Sequence, residues 1–449
     1  MNSAHLTALE TTFDQLLQAL THQMKPRETW ILRLTAEYSQ FVRFNQARVR
    51  QTGLVTDGRL SLTLMDDQRI ATCEVPFTGD KGTDWSGLQT ALEALRQEVT
   101  QLPVDPYLVL PSGEAQSHAV HLGALLPPEA VVATVLPAVQ GLDFTGLYAG
   151  GWLVRAYADS VGQRHWFATE TFALDYSLFT ATGQAVKGTV AGDEWDAIAY
   201  DAKLADSKLQ LERLLSAPPK AIARGQYRTY LAPGAVAALT GMFSWGGVSE
   251  AAIQQGQSAF AALHRGEKRL SPLFTLTENF QRGMVPRFND LGEVAPLELP
   301  IIAAGQLQNT LISSRSAKEY QKTANGAVSG EVLRSPEVSP GSLSPAAVLQ
   351  TLDTGLYVSN LHYLNWSDLP NGRVTGMTRY ACFWVENGEL VAPIENLRFD
   401  ESIYRCLGDR LHALTNTQEF IPQVGTYGNR SLGGTWVPGM VIDDFTYTL

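Results

Sequence analysis

The sequence predicts an α+β protein of two domains, and three observations support that prediction. Amphipathic helical patterns near residues 3–22 and 85–102 flank β-rich runs, as in helices packed on an antiparallel sheet. A Pro-rich segment at residues 216–220 ends a further helical pattern and stiffens the connection. A chain of 449 residues is also too long for one ordinary core. We predict a helix-covered N-terminal antiparallel sheet in residues 1–217 and a β-rich antiparallel domain in residues 218–449.

Composition and charge exclude several classes of function. The formal net charge is -11, with only 34 Lys and Arg residues, which argues against a general nucleic-acid binder. No apolar run reaches the roughly 18 residues that span a bilayer, and the N-terminus lacks a signal-peptide pattern. We therefore expect a cytoplasmic protein with no membrane partner. The three cysteines are far apart in sequence and are predicted to be buried thiols: Cys73, Cys382 and Cys406.

The N-terminal region reads as a meander with helices on one face. Leucines and a phenylalanine at helical spacing predict a helix over residues 3–22. Polar turns, including Asp57-Gly58, separate three predicted strands at residues 30–37, 40–51 and 60–66. Thr83 or Asp84 is the predicted N-cap of the second helix, which should lie on one face of the sheet.

Residues 102–126 are predicted to be loop with one short strand. This segment contains His118 and His121, and two histidines three apart can share a helix face and bind a metal. No cysteine is near and Glu114 is the one close carboxylate, so we interpret the pair as part of a surface loop. A short helix interrupted by Pro137 is predicted next.

Strands are predicted again within residues 142–192, followed by a helix over residues 195–215. The predicted apolar stripe of that helix is Trp195, Ile198, Ala202, Ala205 and Leu209. Neither Gly-x-Gly-x-x-Gly nor Gly-Lys-Ser/Thr occurs, so a phosphate-cradling loop has no support.

The second half begins with a predicted strand at residues 226–231 and a helix at residues 233–243, which starts on a proline. Residues 353–399 carry the densest strand and turn pattern. Asn387-Gly388 between apolar runs is a strong hairpin signal. Strands are predicted at residues 355–364, 377–385 and 389–394.

Several segments in order carry a resemblance to a known family. They include Gly256-Gln-Ser-Ala-Phe260, Arg287-Phe-Asn-Asp-Leu-Gly-Glu293, Pro300-Ile-Ile-Ala-Ala-Gly-Gln-Leu307 and Phe383-Trp-Val-Glu-Asn-Gly-Glu389. Their order and spacing resemble the TldD/PmbA family, metallopeptidase-related cytoplasmic proteins once called modulators of DNA gyrase. The resemblance is closer to the PmbA (TldE) branch and is strongest from about residue 226 onward.

The zinc motif of the TldD branch is absent. In that branch a helix carries His-Glu-x-x-x-His, whose imidazoles bind zinc while the carboxylate acts as general base. Here Thr240, Gly241 and Trp245 stand at those three positions, and the family's C-terminal metal-binding Cys has no counterpart in residues 429–449. The resemblance therefore implies no metal, no cofactor and no zinc hydrolysis by this chain alone.

A serine and four carboxylates could supply other catalytic groups, but structural roles explain them more simply. Ser258 lacks the second glycine of a nucleophile elbow, so we interpret it as hydrogen-bonded to backbone. Asp290 or Glu293 could pair with Asp353 or Glu386 as an acid and a base. Each of the four lies within two residues of Gly or Asn, which favours turn and cap roles.

Aromatic residues in the strand-rich stretch are the predicted peptide-binding candidates. A peptide that adds as an extra strand gains affinity through its main chain, and side chains beside it line the groove. The candidates are Tyr357, Tyr363, Tyr380 and Trp384. Packing in the core or in a dimer interface remains the alternative for all of them.

The resemblance implies a non-catalytic, PmbA/TldE-like member of a peptidase system. Such a protein would bind unfolded peptide and support a zinc-bearing TldD-like partner, as a dimer with that partner or with itself. Two alternatives stay open: a stand-alone homodimeric peptide-binding protein that has lost proteolysis, and a hydrolase with relocated catalytic residues.

Overall fold

The computed structural model describes residues 3–448. Its first half contains α1 (Ser3–Gln23), β1 (Thr29–Asn45), β2 (Arg48–Asp66), β3 (Arg69–Pro76), α2 (Lys81–Glu98), β4 (Gln116–His121), α3 (Ala130–Ala138), β5 (Asp143–Asp159), β6 (Arg164–Phe179), β7 (Ala185–Gly192) and α4 (Ala197–Ser216). These strands form one sheet in the order β3-β2-β1-β5-β6-β4, with β7 also paired to β6. Pairing is antiparallel except between β4 and β6.

Helices α1 and α2 pack on one face of this sheet, as predicted. Their buried leucines meet those of β1 and β2 in one core that includes Phe13, Leu16, Leu20, Leu32, Leu34, Leu62, Leu88, Leu92 and Leu95. Helix α2 begins earlier than predicted, because Asp80 is its N-cap and accepts a hydrogen bond from the Thr83 amide at 2.8 Å. Asp84 is buried instead and accepts from the amides of Thr78 and Gly79.

The predicted turn at Asp57-Gly58 is wrong. Both residues lie inside β2, paired with Glu37 and Ala36. The β1–β2 turn falls at Gln46-Ala47, inside the strand predicted at residues 40–51, where both residues adopt positive φ without glycine. Gly58 allows the backbone at Phe77 to approach β2 closely, since a Cβ at position 58 would lie 2.7 Å from the Phe77 carbonyl oxygen.

The predicted stripe of α4 is also wrong. Tyr200, Leu204, Leu211 and Leu214 form the buried face. Ile198 and Leu209 are 82% and 61% exposed. Trp195 lies before the helix and packs on Tyr200. The helix carries two apolar faces, and the face with the larger side chains lies against the core.

The second half contains β8 (Gly225–Leu231), α5 (Pro233–Gly241), α6 (Glu250–Gln254), α7 (Ala261–His264), β9 (Leu276–Asn279), β10 (Glu298–Ala303), β11 (Gln306–Leu307), α8 (Ser314–Tyr320), β12 (Pro336–Val338), α9 (Val348–Leu352), β13 (Gly355–Val358), β14 (Asn360–Asp368), β15 (Arg373–Arg379), β16 (Phe383–Glu386), β17 (Glu389–Pro393), β18 (Arg398–Ser402), β19 (Leu411–Leu414), β20 (Glu419–Pro422), β21 (Gly434–Val437) and β22 (Met440–Tyr447). Short helical turns also occur at Val99–Gln101, Met242–Ser244, Pro345–Ala347 and Arg405–Asp409.

Two further sheets organise this half. One has the order β14-β15-β18-β22-β8-β13-β16-β17, with β19 paired to β22, and the other has the order β11-β10-β9-β12-β21-β20. Most pairs are antiparallel, while β8–β13 and β12–β21 are parallel. The predicted α+β class is confirmed. The division at residue 217 stays a prediction, because one buried cluster combines Leu211 of α4 with Phe383 of β16.

The Asn387-Gly388 hairpin is confirmed between β16 and β17, and both turn residues have positive φ. The single strand predicted at residues 355–364 is two strands, because the chain changes partners near Ser359. Strand β13 pairs with β16, whereas β14 pairs with β15. Strand β14 therefore lies at the edge of its sheet.

Replacing Gly58 with Ala is expected to lower the free energy of unfolding by about 1–3 kcal/mol, because the new methyl group would press on the backbone at Phe77. Gly53→Ala is the matched control on the same strand, since a Cβ there has no neighbour within 4 Å. Denaturant midpoints would check both variants. Equal stability of the two variants would contradict the steric explanation.

Candidate functional site

Helix α5 and the turn after it contain the three positions predicted to match the zinc motif: Thr240, Gly241 and Trp245. Strand β8 leads directly into α5, and Pro233 supplies a first-turn residue whose missing N–H costs the helix nothing. Ala235, Val236 and Leu239 are buried in the main core of the second half. The regular helix ends at Gly241, and a short 3-10 turn at Met242–Ser244 follows. The helix therefore stops before Trp245.

The three positions of the zinc motif point in different directions. Thr240 is 3% exposed, and its Oγ1 donates a hydrogen bond to the Val236 carbonyl at 2.9 Å. Gly241 is exposed, and a Cβ there would meet nothing within 4 Å. Trp245 is 56% exposed, and its carbonyl accepts a hydrogen bond from Trp366 Nε1 at 3.1 Å. One position faces the core, one has no side chain, and one lies beyond the helix.

These residues do not fit a zinc ion. A tryptophan indole only donates hydrogen bonds, and the Thr240 hydroxyl is already engaged with backbone. Burial raises the pKa of the Cys382 thiol to about 11, and it also raises the pKa of the Cys406 thiol well above its usual value, whereas a thiol must ionise to bind metal. Within residues 3–448, no group of three or more His, Cys, Asp or Glu side chains is placed to hold a metal ion.

Two of the four predicted peptide-binding aromatics are engaged within the fold. The Tyr357 ring lies between Tyr230 and Phe383, at centroid distances of 5.3 and 6.1 Å, and burial raises its pKa. The Nζ of Lys220 lies 4.4 Å from the ring centroid of Trp384, and the Trp384 ring packs edge-on against Tyr227. Both aromatics contribute to packing within the chain.

The other two aromatics, Tyr363 and Tyr380, line one groove of about 550 Å³. Tyr363 is 75% exposed and Tyr380 is half-buried. The groove also contains Arg379, whose Nη1 donates to His362 Nε2 at 2.7 Å and whose guanidinium lies 4.9 Å from the Tyr380 ring. Partial burial and the Arg379 charge lower the pKa of His362, so this imidazole is neutral at pH 7. The groove thus presents aromatic rings, one cation and no carboxylate pair.

Tyr363 and Tyr380 both adopt positive φ, at 55° and 65°. Such backbone is uncommon for aromatic residues and is found where the surrounding structure imposes it. At Tyr363 it accompanies a break in the β14–β15 register between His362 and Asn365. The Tyr363 ring at this bulge is exposed to solvent, and β14 is the end strand of its sheet.

The remaining candidate residues serve structural contacts. Ser258 is buried, donates to the Gly247 carbonyl at 2.7 Å and accepts from the Phe260 amide at 2.9 Å. Asp290 pairs with Arg33 at 3.1 Å, and Glu386 pairs with Lys220 at 3.2 Å.

Glu293 accepts a hydrogen bond from Asn289 at 2.7 Å, and Asp353 ends α9 with a positive φ. The structure therefore gives the four candidate carboxylates separate contacts and does not assemble them into one acid and base pair.

His118 and His121 lie on strand β4, not in a loop. A separation of three residues places their side chains on opposite faces of a strand. His118 Nε2 lies 3.2 Å from Glu10 Oε2, whereas the His121 ring packs 5.7 Å from Phe167. The two imidazoles cannot share a metal in this arrangement.

Two buried charged residues, Arg430 and Glu278, are not predicted from the sequence. Arg430 is 5% exposed and inserts into the N-terminal sheet, where its guanidinium donates to Ser39, Gly151 and Thr171. Glu278 is 3% exposed, and its Oε1 accepts from the amides of Arg334 and Ser335. An isolated Arg or Glu in a polar segment has no sequence signal of burial, because its partners come from distant strands and loops.

The fold and the site define an α+β protein whose helix α5 offers no metal ligands. Residues 224–449 match the model of a family described as the PmbA/TldA metallopeptidase C-terminal domain. This chain belongs to the TldD/PmbA family. A comparison with curated proteins gives no match. None of the helices within residues 3–448 is both long and apolar enough to cross a membrane.

Three crystal structures share the fold over nearly the whole chain. One is a candidate modulator of a DNA gyrase from Thermotoga maritima MSB8, with 14% identity, a TM-score of 0.74 and coverage of 98% of this chain and 100% of that chain. TldE from Thermococcus kodakarensis has 12% identity, a TM-score of 0.75 and the same coverages. A candidate modulator of DNA gyrase from Bacteroides thetaiotaomicron VPI-5482 has 15% identity, a TM-score of 0.75 and coverage of 100% of this chain and 99% of that chain. At these identities the likeness establishes the fold alone.

The stability of this half is expected to fall as the pH rises from about 4.5 to 7. Burial raises the pKa of Glu278 to about 7, so the folded chain retains a proton that the unfolded chain has lost. Glu278 contributes up to about 3 kcal/mol to the free energy of unfolding. This contribution is fully present below pH 4.5 and is lost as the pH rises through the pKa of Glu278 in the folded chain. Glu278→Gln should flatten this slope in denaturant unfolding measured from pH 5 to 7.5. The exposed control Glu389→Gln should keep it, and an unchanged slope in Glu278→Gln would refute the assignment.

Proposed function

We propose that this chain is a non-catalytic, PmbA/TldE-like member of a metallopeptidase system that acts on unfolded peptides. In this proposal a zinc-bearing TldD-like partner performs the hydrolysis, and this chain supports that partner and helps to hold the substrate. The observation that carries the proposal is the state of α5, where Thr240 is hydrogen-bonded in the core, Gly241 has no side chain and Trp245 lies beyond the helix. Membership of the TldD/PmbA family supplies the context.

The groove beside β14 is the proposed contact for peptide. Strand β14 is the outer strand of its sheet, so its free backbone groups can pair with an added strand. Tyr363 stands 75% exposed beside that edge, and Tyr380 lines the same groove. Main-chain pairing with aromatic contacts would bind extended peptides with little dependence on their sequence. Folded proteins, whose backbone is already paired, would be poor ligands.

An exposed apolar face on α4 favours assembly with another protein chain. Ile198, Ala202, Ala205 and Leu209 follow one another at spacings of four, three and four residues, and all are exposed. This face supports a dimer, with either the TldD-like partner or a second copy. The stand-alone homodimeric peptide-binding protein is thus the second candidate. We place either assembly in the cytoplasm, with the chain divided into domains at residues 1–217 and 218–449.

Zinc content and peptide cleavage test the main proposal. The purified chain should carry no stoichiometric zinc and should not cleave an unstructured peptide, because it offers neither imidazole ligands nor a general base at α5. Adding the His-Glu-x-x-x-His paralogue from the same genome should produce cleavage. A variant of that paralogue without its motif Glu is the control and should remove the activity. Stoichiometric zinc together with cleavage by this chain alone would overturn the proposal.

The groove is tested by Tyr363→Ala. Loss of an exposed aromatic contact should raise the Kd for a labelled, unstructured peptide by about threefold to tenfold, measured by fluorescence anisotropy. Tyr427→Ala is the matched control, because Tyr427 is fully exposed on the loop between β20 and β21. Both variants should unfold at the wild-type temperature. Equal peptide affinity in the two variants would exclude the groove while leaving the zinc result unaffected.

A further inference from the structure

A cavity of about 450 Å³ separates the N-terminal sheet from the loops of the second half. Its walls carry four arginines and two carboxylates: Arg33, Arg59, Arg155, Arg334, Glu74 and Asp290. The excess of guanidinium groups makes the cavity electropositive although the chain as a whole has a net charge of -11.

Strand register builds the floor of the cavity. Thr35 in β1 pairs directly with Arg59 in β2 and with Arg155 in β5. Cross-strand neighbours share one face of a sheet, so the two arginines flank the Thr35 hydroxyl in a single row. The opposite face of the same strands carries the apolar core under α1 and α2. The row thus lies on a rigid surface, which is suited to holding a ligand in one position.

Two of the four arginines are already satisfied by the protein. Arg33 donates to Asp290 at 3.1 Å, and that carboxylate also accepts from Ser329. The guanidinium of Arg334 donates to four backbone carbonyls, those of Pro286, Arg287, Phe288 and Gly326. These two side chains close the cavity and leave the other two to meet a ligand.

Arg155 is the unsatisfied group. Within residues 3–448 its guanidinium makes one hydrogen bond, from Nη1 to the Val154 carbonyl at 2.8 Å, and no ion pair. The charge of nearby Glu37 favours the charged form of Arg155, although the hydrogen bond that Glu37 accepts at 2.8 Å comes from the Arg430 amide. Burial lowers the pKa of Arg155 to about 10, so the side chain stays charged at pH 7 in surroundings that disfavour charge. Arg59 at the open side is half exposed and lies 3.7 Å from Asp57.

We propose that this cavity binds a small multivalent oxyanion, held between Arg155 and Arg59 over Thr35. Guanidinium groups match phosphate and carboxylate oxygens bidentately, and both chemistries fit the donors that are free here. The site is separate from helix α5 and from the groove at Tyr363, and no part of it requires peptide. Half-buried Arg155 provides the strongest contact, while the more exposed Arg59 captures the ligand at the mouth.

Calorimetric titration with inorganic pyrophosphate and with citrate, in separate arms at constant ionic strength, tests the proposal. Wild type should show saturable binding of at least one anion, and the arm that binds identifies phosphate or polycarboxylate chemistry. Arg155→Met should weaken that binding about tenfold or more and Arg59→Met about threefold. Arg48→Met, at an exposed arginine of β2 outside the cavity, is the matched control and should bind as wild type.

Thermal unfolding separates binding from folding. Without added anion, Arg155→Met should unfold at the wild-type temperature or higher, because it removes a partly buried charge that makes no ion pair within residues 3–448. The bound anion should raise the unfolding temperature of wild type but not of Arg155→Met. Absence of binding in both arms, or equal binding by wild type and Arg155→Met, would overturn the proposal. If Arg155→Met does not fold, unchanged anion affinity in Arg59→Met would overturn it equally.

Discussion

The hydrogen bonds of the buried Arg430 guanidinium are the interaction on which the relative position of the two halves of the chain depends. A loop of the second half carries this side chain into the N-terminal sheet, where it donates to Ser39, Gly151 and Thr171 while its own amide donates to Glu37. A charge removed from water is tolerated only when its donors are satisfied, so the loop and the strands must hold one relative position. The arginine cavity and the groove beside β14 are both lined by residues from each half of the chain.

Helix α5 is held in the fold by its own packing. Its buried face belongs to the largest core of the molecule, and Thr240 satisfies its hydroxyl within the helix. The stability of the helix therefore comes from packing, not from a bound ion. The core does not depend on the exposed positions at Gly241 and Trp245.

Sequence patterns predicted the elements whose signal is local. The opening helix and the hairpin at Asn387-Gly388 are confirmed, since helical spacing and turn residues act within a few positions. The turn predicted at Asp57-Gly58 is wrong because, in sequence, a glycine required for close approach looks the same as a glycine required for a turn. The buried face predicted for α4 is wrong because that helix has two apolar stripes, and only one of them packs against the core. The fold class was thus predictable, whereas the contacts of individual side chains were not.

The residue types alone determined that positions 240, 241 and 245 hold no zinc ligand, because ligand chemistry belongs to the side chain wherever it lies. Tertiary structure alone decided which predicted aromatics meet: Tyr363 and Tyr380 share a groove, while half-buried Tyr357 packs against the core. It also placed Arg155 and Arg59 on either side of Thr35, although the two are almost a hundred positions apart in the chain. Strand register and the approach of the two halves set these distances, and neither leaves a trace in local sequence.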